Sequence, residues 1–117
     1  MIKIKSVLPV LREKKRYLAF EILSKNKIGS FACVSRAVWQ SMLSFAGELG
    51  SARAGLWLLP DCWNAEKQAG VVRVSNTGID ELKASIALIK SIEQQPVVVR
   101  SIATSGMLHK AKKAISM

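Results

Sequence analysis

The hydrophobic period of this chain switches between two and about 3.6 along its length, and that alternation limits its fold more than any other feature. Residues 16–24 alternate, with Leu18, Phe20 and Ile22 on one side and Tyr17, Ala19 and Glu21 on the other. A period of two specifies a strand buried on one face. Residues 26–30 hold Gly29 and end on Ser30, a turn followed by a suitable N-cap. From there Phe31, Val34, Val38, Met42, Phe45 and Leu49 recur at steps of three and four, one stripe of an amphipathic helix. Gly47 and Gly50 are expected to close it.

The two periods then return. Residues 54–59, ended by Pro60, and residues 70–75 read as a second and a third strand across a long loop. Ile79, Leu82, Ile86 and Ile89, widened by Leu88 and Ile92, mark a second helix. Pro96 introduces a fourth strand over 97–104, and Ser105 and Gly106 open a short basic helix with Leu108, Ala111 and Ile115 on one side. The order strand–helix–strand–strand–helix–strand, with right-handed crossovers, predicts an α+β fold of split βαβ (ferredoxin-like or RRM-like) type. Its four-stranded antiparallel sheet takes the order fourth, first, third, second, with the two long helices on one face. Residues 1–11, with Pro9, read as an N-terminal arm and residues 12–117 as one domain. A chain of 117 residues buries roughly two-thirds of its unfolded surface, enough for a core without disulfides or metals.

Charge narrows the function. Eighteen Lys+Arg against eight Asp+Glu give a net +10. Lys3, Lys5, Arg12, Lys14, Lys15 and Arg16 crowd the first 16 residues beside the single acid Glu13, and Lys110, Lys112 and Lys113 close the chain with no acid. The 90 residues between carry nine basic and seven acidic groups. In the predicted topology the fourth strand runs antiparallel beside the first, so both basic segments reach one edge. Such a patch suits a polyanion read through its phosphates. A membrane surface fits poorly, because the C-terminal cluster is short and lacks aromatic anchors. The longest uncharged run, residues 37–47, is 11 residues, too short to span a bilayer.

Autonomous catalysis finds little support. Cys33, Cys62 and His109 are isolated, with no C-x-x-C spacing and no nucleophile–base arrangement. Two such cysteines fit reduced thiols in the cytoplasm. There is no G-x-S-x-G, P-loop or dinucleotide fingerprint. A small hydrolase on this fold, of acylphosphatase type, would need a phosphate-cradling loop after the first strand, where residues 25–29 read Lys-Asn-Lys-Ile-Gly. The outer sheet face offers Tyr17, Val71, Arg73 and Ser75, short of the aromatic platform on which an RRM stacks bases. On that face Glu21 is expected to pair with Arg73 and Arg100, and the C-terminal helix to cover Val98 and Ile102. The second strand is apolar on both faces through Leu56, Trp57, Leu58 and Leu59, with Trp63 close behind. A bare apolar edge needs cover, from its own loop or from a docked protein partner.

These residues also carry a resemblance. Leu11-Arg12-x-Lys14-Lys15-Arg16-Tyr17-x-Ala19-Phe20, then Gly47-Glu48-Leu49-Gly50-x-Ala52-x-Ala54 with Trp57-Leu58, resemble the protein component 2 family of archaeal ribonuclease P, shared with its eukaryotic counterpart. Val99-Arg100, Ser105-Gly106, Lys110 and Lys113 are similar to that family too. The resemblance implies a subunit with no catalytic residues of its own, bound to the catalytic domain of an RNA that removes the 5′ leader of precursor tRNA. It implies no cofactor in this chain, magnesium in the RNA, and partners in ribonuclease P RNA, the TIM-barrel-like protein component 3 and other ribonuclease P proteins. A homodimer within a heterotetramer is a further implication. The residues expected at RNA phosphates are Arg12, Lys14, Lys15, Arg16, Lys110 and Lys113, with Arg73 and Arg100 secondary; Leu56, Trp57, Leu59 and Trp63 are expected at a protein partner. A generic RNA-binding or ribosome-associated module remains the alternative.

Overall fold

The computed structural model describes residues 14–116; the arm expected over residues 1–11, together with Arg12, lies outside them. In chain order come β1 (Lys15–Ser24), α1 (Phe31–Ala54), β2 (Trp57–Leu58), a 3-10 turn (Pro60–Cys62), β3 (Ala69–Ser75) and α2 (Ile79–Ala87), then β4 (Ser91–Ile92), β5 (Gln95–Ser105) and α3 (Leu108–Ser116). The fold is α+β, built on one antiparallel sheet in the order β2-β3-β1-β5-β4.

β1 is central, and its alternation sorts the two sides of the sheet. Leu18, Phe20 and Ile22 join Val72 and Val74 of β3 and Val97 and Val99 of β5 beneath Val34, Val38 and Met42 of α1 and Leu82 and Ile86 of α2. Full burial of each such side chain stabilises the fold by about 1.5–3 kcal/mol. The opposite face is narrower. There Ala19, Ala69 and Val71 receive Ala111 and Ile115 of α3, flanked by Tyr17, Leu59, Cys62 and Leu108. Small sheet residues let the helix lie close. Lys67 Nζ donates to the Ile115 carbonyl (3.3 Å), placing a cation at the C-terminal end of α3.

Three expectations are corrected. The sheet has five strands, not four, because residues 91–92 leave the helical path and pair with the start of β5. Their turn is Glu93 and Gln94, both left-handed (φ 54° and 63°), as a two-residue hairpin requires. Second, Gly47 interrupts α1 with φ 78° and ψ 174°, but helix resumes and continues to Ala54. Residue 54 is therefore helical, and the second strand shrinks from 54–59 to Trp57–Leu58. Third, α3 sits over β1 and β3 and leaves Val98 and Ile102 59% and 40% exposed. Ile102 is the extra residue where the β1–β5 register shifts: Ala19 faces Ala103, but Phe20 faces Ser101.

Gln68, just before β3, locks the β1–α1 loop to the sheet. The Ile28 N–H donates to its Oε1 (2.7 Å), and its Nε2 donates to the carbonyls of Ile28 (3.2 Å) and Ala65 (2.6 Å). The Ile22 N–H donates to the Gln68 carbonyl (2.8 Å). Every one of these polar groups finds its partner inside the fold.

Candidate nucleic-acid interface

The antiparallel ladders place the N-terminal end of β1 between the C-terminal ends of β3 and β5. Lys15 faces Ser75 on one side, Tyr17 faces Ser105 on the other, and the Asn76 N–H donates to the Lys14 carbonyl (2.8 Å). The chain then leaves β5 through Gly106 into α3. Arg16 Nη1 donates to the Lys15 carbonyl (3.1 Å) and stands 3.5 Å from where a Cβ on Gly106 would lie. One guanidinium from the N-terminal basic segment thus abuts the turn that launches the C-terminal one. Ala111 and Ile115 are buried on α3 while Lys110, Lys112 and Lys113 are exposed, because the basic residues occupy the helix face turned from the sheet.

The remaining basic residues divide. Lys14 and Lys15 are exposed, and the Lys15 ammonium turns towards the other end of α1, 3.5 Å from a Cβ position on Gly55. Arg100 is ion-paired with Glu21, directly opposite it on β1. Arg73 does not share that pair. Glu21 faces Ala69 on β3, whereas Arg73 faces Tyr17 on β1 and Trp57 on β2. The expected three-residue charge cluster is therefore one pair, and the Arg73 Nε is shut from water without a hydrogen-bond partner. Lys112, which sequence reasoning left out of the site, neighbours Cys62 across the loop after β2. Burial pushes the Cys62 thiol up, with Lys112 lowering it and Asp61 raising it further. A protonated thiol at neutral pH is a poor nucleophile.

Of the four apolar residues expected at a protein partner, Leu56 is corrected: it is 2% exposed inside the main core and out of any partner's reach. Leu59 is half-buried against the α3 cluster. Trp63 is half-buried with its ring 5.9 Å from Phe31, so that residue is covered by its own loop and α1. Trp57 is different, at 57% exposed on the outer face of the edge strand. Among the described residues no helix is long and apolar enough to cross a membrane, and no three His, Cys, Asp or Glu side chains cluster as metal ligands.

Similarity to known proteins follows the same span. The model of the Rpp14/Pop5 family matches residues 16–116. Ribonuclease P protein component 2 of Thermococcus kodakarensis is 32% identical over 105 residues, covering 90% of this chain and 85% of its own length. The protein of that name from Methanocaldococcus jannaschii is 32% identical over 93% of this chain and 78% of its own; that from Pyrococcus furiosus is 29% identical over 93% and 88%. A chain in the cryo-EM structure of yeast ribonuclease MRP shares the fold, with TM-score 0.62 at 12% identity over 89% of this chain and 87% of that one. With the family pattern running from the first residues of β1 to the end of α3, the chain belongs to the Rpp14/Pop5 family, alongside the archaeal ribonuclease P protein component 2 sequences.

Proposed function

We propose that this chain is a protein subunit of ribonuclease P that binds and stabilises the catalytic domain of the RNA that cleaves the 5′ leader from precursor tRNA. The family match over residues 16–116 carries the reading. The approach of Arg16 to Gly106 supports the reading, since α3, which carries Lys110 and Lys113, begins two residues later.

Arg12, Lys14, Lys15 and Arg16, with Lys110 and Lys113, contact RNA phosphates. Each neutralised phosphate releases condensed counterions, and the repulsion between packed RNA helices falls. Arg100 contributes less, because Glu21 already engages it. The cleavage chemistry stays with the RNA and its magnesium, and no side chain of this subunit takes part in it. In the cytoplasm the subunit works beside the TIM-barrel-like protein component 3 and other ribonuclease P proteins, two copies of each of the pair forming a heterotetramer.

Reconstitution tests this directly. Adding this chain and its partner subunit to the cognate RNA is expected to restore precursor tRNA cleavage at low magnesium; unimproved cleavage sinks the reading in favour of a generic RNA-binding module. Neutralising Arg12, Lys14, Lys15 and Arg16 together is expected to flatten the plot of log affinity against log salt. The slope falls by roughly 0.7–0.9 for every phosphate that is no longer neutralised. An unaltered slope removes these residues from the interface.

A further inference from the structure

The outer face of the sheet holds a row of side chains that the basic ends do not explain. Tyr17, Arg73 and Trp57 are directly opposed across β1, β3 and β2. Directly opposed residues stand on the same face, with Cβ atoms about 4.5–5.5 Å apart. The row therefore places a guanidinium between a phenol and an indole. One step further along, Lys15 lies on the same face opposite Ser75. β2 is the edge of the sheet, so Trp57 is open on the side away from Arg73. The indole is 57% exposed, although Leu56 and Leu58 on either side of it are 2% and 6% exposed and hold the strand to the core. Among the described residues no carboxylate pairs with Arg73 or Lys15, and the Arg73 Nε has no acceptor although it is shut from water.

An exposed indole held on a rigid strand, beside cations that lack acidic partners, matches the chemistry of an unpaired nucleotide. The ring stacks on a base of any identity, and the cations take the adjoining phosphate or an acceptor on the base edge. A protein partner would cover the indole as well, but it would need to bring acid to Arg73 and Lys15. An RNA brings its own. From this placement we infer that Trp57, Arg73 and Lys15 form a single-nucleotide site that stacks one unpaired base of the bound RNA on Trp57. This site rests on the RNA-binding reading above and adds to it recognition of bases, where the basic ends touch only the backbone.

The experiment compares a ten-nucleotide adenine RNA with a ribose-phosphate tract of equal length lacking bases. Each is titrated against the wild-type chain, Trp57→Ala and Trp57→Phe, with circular dichroism confirming that each variant is folded. Trp57→Ala is expected to weaken the adenine tract by about tenfold with an unchanged salt slope, because stacking releases no counterions. Trp57→Phe should keep most of the affinity, and the base-free tract should bind all three proteins alike. Equal loss on both tracts, or no loss on either, overturns the site and leaves the phosphate interface standing. Loss of the TIM-barrel-like subunit by Trp57→Ala with adenine affinity intact assigns the indole to a protein partner instead. Failure of the wild type to bind either tract overturns the RNA reading and this site with it.

Discussion

Two glutamines show how burial decides the worth of the same bond pattern. Gln68 and Gln95 each clamp a loop backbone with both ends of the side-chain amide: Gln68 at Ile28, Gln95 at Asn26 through an accepted bond of 3.2 Å and a donated one of 3.0 Å. Gln68 is 6% exposed, while the Asn26–Gln95 bonds are open to water. Gln68→Ala strands the Ile28 amide and carbonyl without solvent, and should lower unfolding free energy in a urea titration by roughly 2–3 kcal/mol. Gln95→Ala should cost less than about 1 kcal/mol, since water replaces the missing partner. Equal effects of the two substitutions would contradict this account. Neither role shows in the sequence, because Ile28 lies 40 residues from Gln68 and Asn26 lies 69 from Gln95. The misassigned partner of Arg73 has a related cause. Parity along a strand is a local property and put Arg73 on the correct face; the register against β1 is set by the connecting loops.

At the scale of the elements, apolar spacing located the parts that bury a stripe. Val34, Val38 and Met42 lie in the core as their four-residue spacing demands, but Phe45 and Leu49 of the same expected stripe are exposed, on either side of the bend at Gly47. Spacing failed where backbone conformation decides. Ile89 and Ile92 continue a helical pattern and are both buried, yet α2 stops at Ala87 and Ile92 reaches the core from a hairpin. A strand and a helix can each bury those two positions, and Glu93-Gln94 carries none of the Asn or Gly that announces a left-handed turn. That mismatch yields a prediction. Glu93→Asn with Gln94→Gly relieves two left-handed residues, and should raise stability to denaturant by roughly 0.5–1 kcal/mol. No gain, with β4 unprotected in amide exchange, would show that the hairpin is not the form the chain holds in solution. Gly47 misled in the other direction. Its φ of 78° with ψ of 174° is a region that glycine alone reaches readily, so it bends the helix without ending it.

For the whole molecule, charge is the dominant variable, and it acts oppositely on folding and on binding. A net +10 on 117 residues repels itself, and the ion pair between Arg100 and Glu21 offsets little of it. Raising monovalent salt from low to physiological strength screens that repulsion and should lift the melting temperature by on the order of a few degrees. The same addition should weaken RNA affinity, because less is gained by releasing counterions into a saltier solution. Calorimetry and a binding titration in matched buffers check the two signs, and a melting temperature that falls with salt contradicts the balance described. The sequence by itself determined the α+β class, the faces of β1, the charge at the two chain ends and the family, since periodicity, composition and motif are carried by neighbouring residues. The fifth strand, the buried state of Leu56 and the row of Tyr17, Arg73 and Trp57 were decided by the tertiary structure alone. Each depends on strand register and loop path, which bring together residues whose separation in sequence carries no trace of their meeting.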